Sequence, residues 1–204
     1  MSSLPAIVVA GQGRCGTSLM MQMLYAGGIP CVGHWPDFET GASSFGGFDP
    51  TAFAALRGKA IKLITPAELP IGQMPKHVVI WLDRDPEEQA RSQLKMVATF
   101  MRSVDMSRKS IRAMAAGNRR GRLPNMAAIG ANGRHPTLLL SFERLLTQPT
   151  DAAIAVDAFL HEHGYVGLNF EAMRRQIRPR SPYCYPGMME VDLLSAPPPG
   201  RPAI

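Results

Sequence analysis

Ala6-Ile7-Val8-Val9-Ala10-Gly11-Gln12-Gly13-Arg14-Cys15-Gly16-Thr17-Ser18 is the stretch that decides the fold. Five apolar residues in a row read as a strand buried on both faces, the habit of parallel sheets. A glycine-rich loop follows, and Thr17 to Tyr25 continues as a helix that Gly27-Gly28 ends. Strand, glycine loop and helix in that order make a phosphate cradle. Backbone N–H groups converge on an anion, and the helix N-terminus adds about half a positive charge. Gly11 and Gly16 keep the spacing of a Walker loop, but Thr17 stands where the lysine belongs and Arg14 sits inside the loop.

Further strands are expected at Ala60 to Ile64, Val78 to Leu82 and Thr137 to Ser141. Helices are expected from Pro86 to about Met101, from Ser107 to Ala116 and from Asp151 to Glu162. Asp85-Pro86-Glu87-Glu88 is a strong helix start, with Asp85 as N-cap and Glu88 closing a capping box. Thr51 to Leu56 reads as a short helix. Gly33 to Pro50 reads as a long loop able to order over a ligand, and Gly117 to Pro136 receives no assignment. The alternation predicts an α/β fold of three layers, a P-loop fold with a central parallel sheet flanked by helices and ligands beyond the carboxyl ends of the strands. Residues 1–195 read as one domain and the proline-rich 196–204 as a disordered tail.

The chain has 204 residues, 46% of them hydrophobic and 19% charged, which are globular values. A net charge of +6 suits a polyanionic partner such as a phosphorylated nucleotide, nucleic acid or an acidic membrane surface. No basic run has aromatic residues interleaved, so nucleic acid is not expected as a partner, and Arg119-Arg120-Gly121-Arg122 reads as a solvated loop or the border of an acceptor pocket. Cys15, Cys31 and Cys184 show no metal-ligand spacing and point to reduced thiols in a cytoplasm. Cys15 lies at a helix N-terminus that can lower a thiol pKa, although a small residue that lets the backbone approach a ligand is the simpler reading. No apolar run is long enough to span a bilayer and no signal peptide is visible, so stable membrane insertion is not expected.

Asp83-Arg84-Asp85-Pro86 follows the Val78 to Leu82 strand, and Ser92 lies eight residues beyond Arg84, about two helical turns into the next helix. An arginine fork and a hydroxyl so placed can hold a second phosphate apart from the one in the loop. Together with the loop, this pattern resembles the family of sulfotransferases that use 3′-phosphoadenosine 5′-phosphosulfate (PAPS). Gly13-Arg14-Cys15-Gly16-Thr17-Ser18 is similar to that family's first motif, Pro-Lys/Arg-Ser-Gly-Thr-Thr. Arg84 and Ser92 are similar to its 3′-phosphate motif. Gly58 to Leu63, Ser92 to Met96, and Leu140 to Leu146 with Pro149 resemble bacterial members. The loop departs from the pattern at Gly13, where proline is usual, and at Cys15, where serine is usual.

The resemblance implies sulfuryl transfer from PAPS, used as co-substrate without a metal, to a hydroxyl or amine of a small-molecule or biopolymer acceptor. Gln12, Gly13, Arg14, Cys15, Gly16, Thr17 and Ser18 would bind the 5′-phosphosulfate, and Arg84 with Ser92 the 3′-phosphate. Arg14 takes the place of the basic residue that meets the bridging oxygen and leaving phosphate. For the base, His34 falls near the glutamate of the tyrosylprotein branch, shortly after a matching Cys31. Asp49 follows Gly46-Gly47-Phe48, which resembles a Gly-Tyr-Glu stretch of bacterial relatives, and Asp37 and Glu39 are rivals in the same loop. Arg178, Arg180 and Tyr183 are the candidates near the end of the chain for support of the 3′-phosphate. Two other readings stay open: a P-loop small-molecule kinase, against which the missing loop lysine tells, and a nucleotide-binding protein of this fold without transfer activity.

Overall fold

The computed structural model describes residues 4–39, 55–69, 74, 76–101 and 103–177. Four parallel strands form its centre: β1 (Ala6–Gly11), β2 (Ala60–Ile64), β3 (His77–Asp83) and β4 (Thr137–Ser141), in the spatial order β2-β1-β3-β4. β1 pairs with β2 from Ile7↔Ala60 to Gly11↔Ile64 and with β3 from Ala6↔His77 to Gly11↔Leu82. The chain leaves β1 for β2 on one side and then crosses to β3 on the other. The carboxyl ends of β1 and β3 therefore flank a topological switch point, where open α/β sheets bind ligands.

Every residue of β1 is buried, as its unbroken apolar run requires. One apolar layer joins the sheet to α1 (Thr17–Ala26) through Met20, Met21, Met23 and Leu24. On the same side lie α4 (Phe142–Thr147), α5 (Pro149–Glu162) and α6 (Phe170–Gln176). The second layer packs Ala6, Val8, Ala10 and the fully buried Trp81 against Met126 and Ile129. Helices thus cover both faces, giving the expected α/β sandwich about a parallel sheet. Tyr165 ties the two ends of the described chain together, its hydroxyl donating to the Pro5 carbonyl.

Between β3 and β4 lie α2 (Pro86–Phe100) and α3 (Arg108–Ala128), which form an antiparallel hairpin. Asp85 caps α2 through Oδ1, accepting from the Glu87 and Glu88 amides at 3.0 and 2.9 Å. The return bond expected from Glu88 is instead taken by Glu143, whose Oε1 accepts from the Asp85 amide at 2.9 Å. Glu88 leans toward Arg84.

α3 corrects the reading of residues 117–136 as unassigned. It runs on to Ala128 through Gly117, Gly121 and Pro124, three residues that count against a helix on propensity. Tertiary partners reverse that balance. Buried Asn118 donates to Gln93 Oε1 at 2.9 Å, and buried Asn125 accepts from the Ala67 amide at 2.8 Å and donates to the Gly121 carbonyl at 2.7 Å. At Gly121 a Cβ would stand 2.7 Å from Nε2 of Gln12, so glycine there lets the glycine loop lie against the helix. Helix α6 had no strong sequence signal. The Thr51 to Leu56 helix falls mainly outside the described residues, as does the tail 196–204.

At the far end of the sheet from the loop, His77 is buried and donates from Nε2 to the Ile129 carbonyl at 3.0 Å. His135 stacks on it with ring centroids 3.9 Å apart. Burial first, then His77 and Arg134, push the His135 pKa below its usual value. The folded protein thus binds a proton at His135 less readily than the unfolded chain. Its contribution falls as pH drops below about 6.5, the unfolded pKa, and stops changing below the folded one. Thermal melts between about pH 8 and pH 5 should show this loss, with a shallower slope in His135→Gln. Parallel slopes would remove His135 as the cause.

Candidate functional site

The glycine loop, residues 11–16, leaves β1 at the switch point with one carbonyl tied to α2 and another to Arg84, just before that helix. The Gly13 carbonyl accepts from Gln89 Nε2 at 2.9 Å and from Gln93 Nε2 at 3.1 Å. The Arg14 carbonyl accepts from Arg84 Nη1 at 3.0 Å. In a trans peptide the N–H points opposite to the preceding C=O. Tying these two carbonyls to Gln89, Gln93 and Arg84 therefore turns the amides of Arg14 and Cys15 away from those side chains. Arg14 and Gly16 both adopt left-handed conformations, φ 68° and 98°, the alternation that gathers successive amides into an anion nest.

Gly16 is the N-cap of α1, and no side chain caps it, so the first-turn amides are not answered by a capping side chain. A Cβ on Gly16 would lie 2.5 Å from Cδ2 of Phe142. Phe142 also carries the Arg84 guanidinium over its ring, 4.5 Å from the centroid. One aromatic side chain, set by the start of α4, thus props both the loop and the arginine.

Among the sequence-predicted residues, Arg14, Arg84 and Ser92 are brought together. Arg14 Nε donates to Ser92 Oγ at 3.1 Å, so the loop arginine reaches across to the hydroxyl two turns into α2. Arg84 is nearly buried and lies 3.7 Å from Glu88 Oε2. Thr17 is buried, while Ser18 accepts a hydrogen bond described below. Gln12 lies at the edge of a cleft that it shares with Arg84, Gln89, Asn118, Arg119 and Arg122. Within that cleft Arg122 grips Asp83 with two nitrogens, Nη2 to Oδ2 at 2.6 Å and Nε to Oδ1 at 2.9 Å. Trp81 Nε1 donates to the same carboxylate at 2.8 Å. His34 is exposed in the turn after α1, where its carbonyl accepts from the Phe38 amide. Asp49, Arg178, Arg180 and Tyr183 lie outside the described residues.

Cys15 is fully buried beneath the loop, and its thiol pKa is pushed up to about 12, chiefly by desolvation with help from Asp83. Burial outweighs the helix N-terminus here, and the thiol is held in its neutral, unreactive form.

Lys62 was singled out only as part of a motif, yet it is the most informative buried charge at the site. It occupies the middle of β2 with none of its surface exposed. Nζ donates to Ser18 Oγ at 3.3 Å, to the Asp37 carbonyl at 2.5 Å and to Glu39 Oε1 at 3.1 Å. Burial lowers its pKa, and Glu39 opposes that shift. A lysine inside an otherwise apolar strand is rarely buried without partners. That is the signal by which sequence alone flags it.

Residues 33–39, expected as the start of an adaptable loop, are packed against α1. Tyr25, Trp35 and Phe38 form a ring cluster with centroids 5.6–6.0 Å apart, and Gln22 Nε2 donates to the Pro36 carbonyl at 2.9 Å. Lys62 completes the anchorage. Among the described residues, no three His, Cys, Asp or Glu side chains gather as a metal site would require.

No family model matches this chain, and no curated protein matches it. Solved structures do. One is the crystal structure of retinol dehydratase in complex with androsterone and inactive cofactor PAP, similar at a TM-score of 0.44 and 16% sequence identity. The match covers 83% of this chain and 62% of that one, so this chain spans less than two thirds of its neighbour's length.

Two outcomes follow from the burial of these groups. At about pH 8, where an ordinary thiol of pKa ~8.5 is partly ionised, Cys15 should resist iodoacetamide in the native protein and react fully in urea. Peptide mass mapping reads the difference, and rapid native alkylation would contradict the buried thiol. Lys62→Met should change the melting temperature little, because a similar volume of apolar atoms replaces a buried ion. It should nevertheless speed amide hydrogen exchange across residues 34–39, and exchange at the wild-type rate would mean that the lysine does not hold this segment.

Proposed function

We propose that this protein is a sulfotransferase that takes a sulfuryl group from PAPS and passes it to an acceptor hydroxyl or amine. The observation that carries the reading is the junction of Arg14, Ser92 and Arg84: a Walker-spaced loop without its lysine, joined to an arginine and a hydroxyl from the next strand–helix unit. An adenine nucleotide with phosphates at both its 5′ and 3′ positions needs two anion sites side by side. The loop amides supply the first, and Arg84 with Ser92 the second.

PAPS would supply an activated sulfuryl group on its 5′-phosphate. The acceptor oxygen or nitrogen forms a bond to sulfur while the bridging S–O bond breaks. 3′-Phosphoadenosine 5′-phosphate (PAP) leaves, and the acceptor proton passes to a base. Arg14 stands in the loop to meet the negative charge that grows on the departing phosphate. A guanidinium already fixed by Ser92 stabilises that charge without the reorganisation water would need. The Lys62 ammonium, against Ser18 in the first turn of α1, adds a second positive charge behind the loop. His34 and Asp49 are our candidates for the base. A single-charged sulfuryl group makes less demand on a metal than a phosphoryl group does, and the reading includes none.

Calorimetric titration of metal-free protein with PAP, beside ATP and adenosine 5′-phosphate, tests the donor site. PAP should bind and the other two should bind at least about tenfold more weakly, since each lacks the 3′-phosphate and its charge-assisted hydrogen bonds. Preference for ATP would favour the kinase reading and sink this one. Arg84→Ala should weaken PAP roughly 10- to 100-fold. Arg14→Ala should instead cost turnover, on the order of 100-fold or more, with a smaller effect on PAP affinity. Equal turnover in Arg14→Ala and wild type would remove that residue from the chemistry.

A further inference from the structure

The charge of this protein is not spread over it. Of its 22 lysines and arginines, six lie on α3: Arg108, Lys109, Arg112, Arg119, Arg120 and Arg122. The remaining sixteen balance the sixteen carboxylates, none of which is on α3, so the whole net charge of +6 resides on one helix. Arg122 is engaged by Asp83. The other five are exposed, and among the described residues none of the five is ion-paired. At about 100° per residue, Arg108, Arg112, Arg119 and Leu123 fall within roughly 60° of arc, a stripe about 22 Å long.

Large apolar side chains stand at both ends of that stripe. Phe100 is 83% exposed and Met101 58% exposed at the end of α2, and Met106 is exposed just before α3 begins. Leu123, 67% exposed, lies at the other end. Phe100 is the most exposed large hydrophobic residue among those described. Between Phe100 and the end of α3 there is one carboxylate, the exposed Asp105, which accepts hydrogen bonds from the Ser107 and Ser110 hydroxyls and the Ser107 amide.

We propose that the α2–α3 hairpin docks on an anionic lipid bilayer. Phe100, Met101 and Met106 enter the boundary between headgroups and acyl chains, and the exposed arginines fork onto lipid phosphates and carboxylates. Cations flanking exposed apolar residues, with Asp105 the one carboxylate among them, complement such a surface in both of its properties. A single-stranded nucleic acid would call for stacking rings along the stripe, and α3 carries no Phe, Tyr or Trp. Among the described residues no helix is long and apolar enough to cross a membrane, so the contact is with the surface. Phe100, Met101, Arg108 and Arg112 lie outside the cleft beside the glycine loop.

Sedimentation of the full chain with vesicles tests it, using phosphatidylcholine alone and phosphatidylcholine containing phosphatidylserine. Binding should be at least about tenfold tighter to the anionic vesicles and should weaken with added salt. The double variants Phe100→Ser/Met101→Ser and Arg108→Glu/Arg112→Glu should each lower it about tenfold or more, with melting temperature unchanged because all four side chains are exposed. Absence of binding to anionic vesicles overturns the proposal. So does loss of binding in the charge-reversed variant alone, with Phe100→Ser/Met101→Ser binding like wild type. In that case the stripe recognises negative charge as such, and retention of both wild type and the serine variant on heparin would identify it as a polyanion site.

Discussion

The direction in which two carbonyl groups point governs the candidate site. Two glutamine amides of α2 satisfy the Gly13 C=O, and the Arg84 guanidinium, from just before that helix, satisfies the Arg14 C=O. Were these carbonyls directed into the mouth of the loop, the loop would repel an anion. The glutamines are themselves positioned from behind, since Asn118 on α3 holds the Gln93 oxygen. Gly121 lets Gln12 nestle against the same helix. Hydrogen bonds from two glutamines and an arginine, rather than from a lysine, thus set the direction of these carbonyls.

Lys62 connects this cradle to a part of the protein that is otherwise unrelated to it. Its ammonium touches the first turn of α1 on one side and the 37–39 segment on the other. A buried ion of this kind contributes little net stability, because the cost of removing it from water offsets its contacts. Its value lies in specificity: the segment after α1 has one place where a carbonyl and a carboxylate can meet that charge. The aromatic cluster of Tyr25, Trp35 and Phe38 supplies the apolar half of the same anchorage.

Much of the architecture was legible in local pattern. Short runs of mainly apolar residues marked the four strands, unbroken in β1, and Asp85-Pro86 marked the start of α2, because strand pattern and helix capping are decided by adjacent residues. Arg84 and Ser92 stood out by their spacing, but that each would meet Arg14, one at its carbonyl and the other at its guanidinium, was not visible. What escaped is what distant residues decide. The continuation of α3 through Gly117, Gly121 and Pro124 rests on buried amides whose partners lie 25 to 58 positions away. The glutamate that completes the α2 cap is 58 positions from Asp85. Lys62 differs from these: its signal is local, a charged residue in the middle of an otherwise apolar strand, but its partners at Ser18, Asp37 and Glu39 are distant in sequence.

The bonds that orient the glycine loop join residues 70 to 80 positions apart in sequence, and the Phe142 that supports Gly16 lies further still. Such contacts form only after long stretches of chain have been closed, which makes them slow to arrive during folding. A polypeptide emerging from its N-terminus presents residues 11–18 early but acquires the groups that aim their amides late. Anion affinity therefore appears only when the β1–β3 crossover and the start of α4 are in place. The loop does not serve as a nucleus around which a ligand could assemble the fold; the fold must be finished before the loop becomes a receptor.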